Sequence, residues 1–389
     1  MRQLPFEYAF RNLGRSRSRL LAALIGSSLV ALLALAAGGF VRGMQLTLTQ
    51  HHGPNENVIL LGTGSEEALE RSQIDASAAT IAAASIPGIR ERGGTPFVSP
   101  EIHVALPVRE AEEAEERQAV LRGVTTAALL VHPEVEIVEG RPPSAGADEI
   151  MVGALAATRL GLADERLAIG RTLHLAGRDW AIVGRFTAPA TVMDAEIWVP
   201  LTDLQIATKR DGSISCVVLT LGDAAYDDVE LFAKSRLDLE LTAISERDYY
   251  ASIAAFYRPI RVMVIATAAL IGAGGLLGGL NTMYAAFAAR VREIGALQAM
   301  GYTRPAIVMS LVEESTFAAA CGAVIACAVG LLVLDGIAVR FSMGAFALTV
   351  DAPVILAGLG AGLIVGLVGA IPPAVRCLRL PIPEALKAH

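Results

Sequence analysis

The chain has 389 residues, 53 % hydrophobic and 18 % charged, with a mean hydropathy of +0.52 and a net charge of −7. That hydropathy excludes an ordinary soluble enzyme and points to helices of about 20 apolar residues, the length that crosses a bilayer core of about 30 Å. The charge is unevenly divided: residues 43–258 hold 32 acidic and 18 basic residues, net −14, and the remainder is +7.

Residues 1–19 come first. Phe6, Phe10 and Leu13 fall at i, i+4, i+7, with Glu7 and Arg11 at the same four-residue spacing elsewhere on the surface. This pattern predicts an amphipathic helix over 3–14, lying on a membrane surface by its aromatic anchors and basic charge. The uncharged run Leu20 to Val41 predicts a first transmembrane helix over 20–42. It is longer than the apolar core of a signal peptide, so it reads as an uncleaved anchor although Ala36-Ala37-Gly38-Gly39 resembles a cleavage context.

Residues 43–258 read as a folded α+β domain outside the membrane, large enough for two subdomains. Strands are predicted at Asn57–Leu61, Ala195–Val199 and Cys216–Leu221, and a hairpin at 173–183 turning on Gly177-Arg178-Asp179. Helices are predicted at Ala76–Ser85, Gly153–Leu160 and Ala225–Leu237, while the charge-dense run Glu110–Arg117 reads as an exposed loop or solvated helix. Cys216 is the one cysteine of this insert, so it has no disulfide of its own. Cys321 and Cys327 fall in an apolar span, where they serve as small fillers. His51-His52 lacks the further ligands a metal needs, and His103, His132 and His174 are scattered along the sequence. No metal site is expected.

Arg247–Arg258 is predicted to run as a helix toward the membrane, kinked at Pro259, with residues 259–289 forming a stalk and the second transmembrane helix. In that helix Gly274 with Gly278, and Gly275 with Gly279, place small residues at four-residue spacing, where span three of the same chain or a second subunit can approach closely. Residues 290–305 follow as a charged segment. Its apolar members Val291, Ile294 and Leu297 recur with Phe287 at helical spacing, while Arg290, Arg292 and Glu293 cluster near one end. On chemistry alone it is either a connecting loop or a helix that a partner grips. The third span, 306–334, carries only Glu313 and Glu314; their closeness to the 290–305 segment, with Arg290 or Arg304 as partners, favours a structural or coupling role over proton transport. An outside loop at 335–352, a fourth span at 353–375 and a tail at 376–389 complete the layout.

Basic residues orient it. Arg11, Arg15, Arg17 and Arg19 precede span one, Arg290, Arg292 and Arg304 lie between spans two and three, and Arg376, Arg379 and Lys387 follow span four. By the positive-inside rule both termini and the 290–305 segment are cytoplasmic and the acidic insert is outside. The fold class is thus a polytopic α-helical membrane protein with four transmembrane helices and an α+β extracytoplasmic domain between helices 1 and 2. The sequence contains no phosphate-binding loop, no nucleophile elbow and no zinc-protease motif. Catalytic residues, cofactors and nucleic acid are not expected, and any ATP hydrolysis belongs to another polypeptide.

The run Arg290-Val291-Arg292-Glu293-Ile294-Gly295 with Leu297 and Gly301, followed by Glu314-Ser315, resembles the signature of FtsX/MacB-type ABC transporter permeases. Pro372-Pro373-Ala374-Val375-Arg376 with Pro381, Pro383, Glu384, Ala385 and Leu386 resembles that family's C-terminal ending, and Ala9-Phe10-Arg11-Asn12-Leu13 its N-terminal segment. Glu149-Ile150-Met151-Val152-Gly153, Gly170 to Leu175 and Val183-Gly184 resemble a MacB-like periplasmic core domain. The resemblance implies a bacterial inner-membrane permease acting as a homo- or heterodimer. A separate ABC ATPase subunit would bind ATP and Mg and dock on the segment from Arg290 to Gly301. It further implies mechanotransmission-type extrusion of a drug, peptide, lipid or lipoprotein, with a periplasmic adaptor and outer-membrane channel as further partners. The alternative it offers is an FtsX-like transmitter that activates an extracytoplasmic protein without transport.

Overall fold

The computed structural model describes residues 17–49, 56–110, 115–341, 344–379 and 381–387, and these form two compact units. One unit holds the described residues up to Arg42, Pro259–Ile337 and those from Leu348 onward; the other holds those from Gly43 to Arg258 together with Ala338–Ala347. The helix expected at 3–14 and the pair His51-His52 lie outside the described residues. The helices used below are α1 (Arg17–Thr49), α2 (Glu246–Phe256), α3 (Arg258–Ala288), α4 (Val291–Ala299), α5 (Arg304–Val333), α6 (Ala352–Cys377) and α7 (Ile382–Lys387).

In the first unit α1, α3, α5 and α6 are long and apolar enough to cross a membrane, the four helices expected, the first apolar stretch running on to Leu48. The most extensive packing joins α5 to α6. Gly358, Gly362 and Gly366 form a stripe at four-residue spacing on α6; a Cβ at Gly362 would stand 2.6 Å from that of Ala323, and one at Gly366 2.5 Å from that of Ala319. On another side of α5 the Ser28 hydroxyl of α1 donates to the carbonyl of Gly322 at 2.8 Å. Lipid tails are as apolar as leucine, so close approach over small residues and such hydrogen bonds hold the helices together.

Along α3 only Phe287 is buried. Gly275 approaches Val30 of α1 and Gly279 approaches Val365 of α6, while Gly274 and Gly278 face open space. Span three is therefore not the in-chain partner of these glycines. Its small-residue surface is already taken by α6 and α1.

The second unit is built on ten strands: β1 (Asn57–Gly62), β2 (Val98–Glu110), β3 (Arg117–Val124), β4 (Glu136–Gly140), β5 (Glu149–Gly153), β6 (Thr172–Leu175), β7 (Arg178–Thr187), β8 (Ile197–Pro200), β9 (Cys216–Thr220) and β10 (Leu241–Ser245). Their order is β10-β1-β9-β2-β3-β8-β5-β7-β4, with β6 pairing both β7 and β2. The pairings β2-β3-β8-β5-β7-β6-β2 thus close into a ring, and the first residues of β2 continue outward to β9, β1 and β10. One apolar core runs from Leu60 through Ile102 to Trp180, so the two lobes that the length suggests share a strand and an interior.

Several local readings change. Glu149–Gly153 is a strand because Ile150, Met151 and Val152 are all buried, and the helix shrinks to Ala156–Leu160. The segment from Glu110 to Arg117 links β2 to β3; residues 111–114 lie outside the described ones, and the Arg117 guanidinium donates to the carbonyls of Leu160 and Gly161. The β6–β7 hairpin turns on Ala176-Gly177, both at positive φ, and Arg178 already pairs with Leu175. The 335–352 loop contains a hairpin, β11 (Ala338–Phe341) and β12 (Gly344–Ala347), that belongs to this second unit. Phe341 stacks edge-on against Tyr257 and Phe346 at centroid distances of 5.4 and 5.6 Å. At Gly43 the backbone lies so close to the carbonyl of Ala347 that no Cβ fits.

The histidines read as scattered are partly gathered. Glu101 on β2 is wholly buried and meets the Arg122 Nη1 at 2.7 Å, His132 Nε2 at 2.9 Å and His103 Nε2 at 3.2 Å. Arg122 also donates to Glu196 through Nε and Nη2, at 2.7 and 2.9 Å. Glu246, in the first turn of α2, accepts from Asn57 Nδ2 at 2.8 Å and so ties that helix to β1. Burial pushes Glu101 upward, but His132 and Arg122 outweigh it and hold the carboxyl well below its usual range. Burial also opposes charge on His132, yet Glu101 overrides it and raises the imidazole from 6.5 to about 10.

Two expectations follow. Arg122→Met leaves Glu101 and Glu196 buried without their shared cation and costs about 3–5 kcal/mol, a fall in the unfolding midpoint of the detergent-solubilised chain. The contribution of His132 is complete below its unfolded value near 6.5 and is lost as pH rises through about 10. Unfolding scans from pH 6 to 10 on the wild type and His132→Gln test this: the gap between the two should close as pH rises.

Candidate functional site

Between α3 and α5 the chain makes one short helix, α4, and its formation follows from its pattern. Val291, Ile294, Gly295 and Leu297 are buried, while Arg292 and Glu293 are exposed. The buried face joins Phe287 of α3, Ile307 and Leu311 of α5, Ala370 and Ala374 of α6, and Ala385 of α7 in one apolar cluster. Packing of that face stabilises a nine-residue helix that is too short to persist alone.

Both ends are fixed. At the C-terminus Gly301 adopts φ +90°, its N–H donates to Gln298, and the N–H of Tyr302 reaches back to Leu297 at 3.2 Å. This is a Schellman ending, and it needs a residue tolerant of the left-handed region, hence glycine. At the N-terminus Arg290 stands at the cap position, and its guanidinium meets Glu314 of α5 at 3.0 Å and Glu293 at 3.2 Å. The Arg290 and Glu314 side chains are 12 % and 6 % exposed. Burial disfavours the charge on Arg290, but Glu314 and Glu293 more than compensate, so it is held more firmly protonated than usual.

The site residues read from sequence thus divide into three kinds. Ile294, Gly295 and Leu297 seat the helix, Gly301 ends it, and Arg290 with Glu314 clamps it to α5. Arg292 and Glu293, with Met300 at 59 % exposure, form the outward face. Glu313 is partly exposed and stands apart from the clamp, so the two adjacent acids are not equivalent. α7 also packs on α4, through Ala385, and a lone small residue near the end of the sequence gives little sign of it.

In the second unit Glu101, His103 and Cys216 bring ligand atoms within 4.8 Å of one another. The chemistry of this set suits an ion pair better than a metal, because the Arg122 guanidinium already occupies the shared carboxylate oxygen. Burial also keeps the Cys216 thiol protonated, with its pKa pushed well up. An apolar pocket of about 270 Å³, floored by Trp198 and Met151 and rimmed by Pro142 and Pro143, opens elsewhere in the same unit.

Comparison with known proteins gives concordant results for both units. The profile described as MacB-like periplasmic core domain matches residues 20–230, and that described as FtsX-like permease C-terminal matches residues 264–382. Comparison with curated protein sequences found no match. Among solved structures, the periplasmic region of MacB from Actinobacillus actinomycetemcomitans aligns at 11 % identity and a TM-score of 0.39, over 51 % of this chain and 92 % of that one. The extracellular domain of the noncanonic ABC-type transporter YknZ from Gram-positive bacteria aligns at 12 % identity and a TM-score of 0.36, over 48 % and 99 %. The two sequence profiles, which together account for the inserted domain and the membrane helices that follow it, show that the chain belongs to the FtsX/MacB-type ABC transporter permease family.

Proposed function

We propose that the chain is the membrane subunit of an ATP-driven, mechanotransmission-type exporter, and that α4 is where a separate ATPase subunit takes hold. The observation that carries this reading is the asymmetry of α4: one face is locked into the ends of α3, α5 and α6, and the other presents Arg292, Glu293 and Met300. A helix fixed on one side transmits displacement to the elements it is fixed to. In this reading ATP and Mg bind in the partner, both termini and α4 face the cytoplasm of a bacterial cell, and the inserted domain works outside. The open glycine face at Gly274 and Gly278 on α3 is offered to a second permease copy. An amphiphilic substrate, such as a drug, peptide, lipid or lipoprotein, is the cargo class, with an adaptor and outer-membrane channel as further partners.

Arg292, which takes no part in the Arg290 clamp, is the residue to change. The variant Arg292→Glu, which leaves the Arg290–Glu293 contact in place, should reduce co-purification with the cognate ATPase at least tenfold and leave the unfolding midpoint within a degree or two, since such a surface change is worth about ±0.5 kcal/mol. Retained association would overturn the docking role. Stimulation of the complex's ATPase by an extracytoplasmic protein, with no amphiphile exported, would replace export by signal transmission.

Arg290→Met is expected to behave differently. It strands Glu314 and should destabilise the membrane unit by about 3–5 kcal/mol, read as a lower unfolding midpoint in detergent. Arg290→Met/Glu314→Leu should recover most of that loss.

A further inference from the structure

A furrow of about 620 Å³ runs between α5 and α6 at the end of the bundle that carries α4. Its α5 wall is Arg304, Val308 and Val312, one helical turn apart along a single face, with Met309 beside them. Its α6 wall is Leu367, Ile371 and Val375, again at four-residue spacing, and Arg379 follows two residues past the end of the helix. Both walls are apolar along their length and both finish, at the same end, in an exposed arginine. From Leu367 to its end at Cys377 α6 rises about 15 Å, the depth of roughly one bilayer leaflet.

These features together specify an occupant. The apolar walls lie on helices that cross the membrane, so what fills them is apolar along its length. Arg304 and Arg379 both line the furrow at its α4 end, and basic pockets between transmembrane helices select anionic headgroups. We propose that the furrow seats one anionic phospholipid, an acyl chain lying between the two stripes and the phosphate held by Arg304 and Arg379. The proposal depends on the membrane-spanning assignment and is independent of what α4 binds.

The test uses the full chain reconstituted in an equimolar mixture of phosphatidylglycerol and phosphatidylcholine, stripped stepwise with detergent and examined by native mass spectrometry. One phosphatidylglycerol per chain should be retained, at least tenfold in preference to phosphatidylcholine. A basic side chain near an anionic lipid surface is worth about fivefold in partitioning, so Arg304→Gln/Arg379→Gln should weaken retention by about 25-fold. Ile371→Trp, which fills the furrow and keeps both arginines, should also expel the lipid. Equal retention of the two lipids, or full retention by the arginine double variant, overturns the proposal. So does unchanged retention by Ile371→Trp, because the headgroup would then be bound without the furrow.

Discussion

The membrane unit depends on one contact, the approach of α5 to α6 over Gly362 and Gly366, while Gly358 on the same helix meets Leu35 of α1. In lipid no hydrophobic force presses two apolar helices together, so the depth of this contact, set by the absence of side chains, supplies the attraction. The consequences extend to both sides. α1 settles on the opposite flank of α5 through Ser28 and Gly322. At one end of the pair Ile307, Leu311, Ala370 and Ala374 make a platform, and α4 rests its apolar face there. α3, by contrast, contributes only Phe287 to the buried set and leaves most of its length uncovered.

The inserted domain is organised differently, around charge rather than around small residues. Glu101, Arg122, Glu196 and His132 sit in an interior where any one of them alone would be untenable, and their mutual neutralisation makes the site acceptable. Because these residues come from β2, β3, the residue before β8 and the turn before β4, the cluster is satisfied only when the strands are in register. The same ring of strands carries the bulky side chains Trp180, Trp198 and Phe186, all fully buried.

How much of this was legible depended on whether the signal was local. The four spans follow from runs of apolar residues, and α4 follows from Val291, Ile294 and Leu297 at helical spacing, all within a window that a sequence displays directly. The glycines of α6 at 358, 362 and 366 carry the same four-residue spacing as the two pairs on α3. Spacing alone does not say which small-residue face is used. Arg290 was legible as part of a charged segment, but its role as a clamp required Glu314, 24 residues away, to come within 3.0 Å. Glu101 and His132 were unreadable as partners for a similar reason: strand pairing, not sequence proximity, brings them together.

The hairpin at 338–347 gives the inserted domain an unexpected topology. The chain enters this unit at Gly43, within α1, leaves it at Arg258, and returns after α3, α4 and α5 to add β11 and β12. Phe346 is almost fully buried there, and Phe341 lies against Tyr257. A fragment cut at the apparent sequence boundaries, 43–258, is therefore an unfinished object. It would expose the apolar surface around Tyr257 and Ala195 that the hairpin covers. The contiguous insertion and the domain are different things, and the true domain is written in two separate places along the chain.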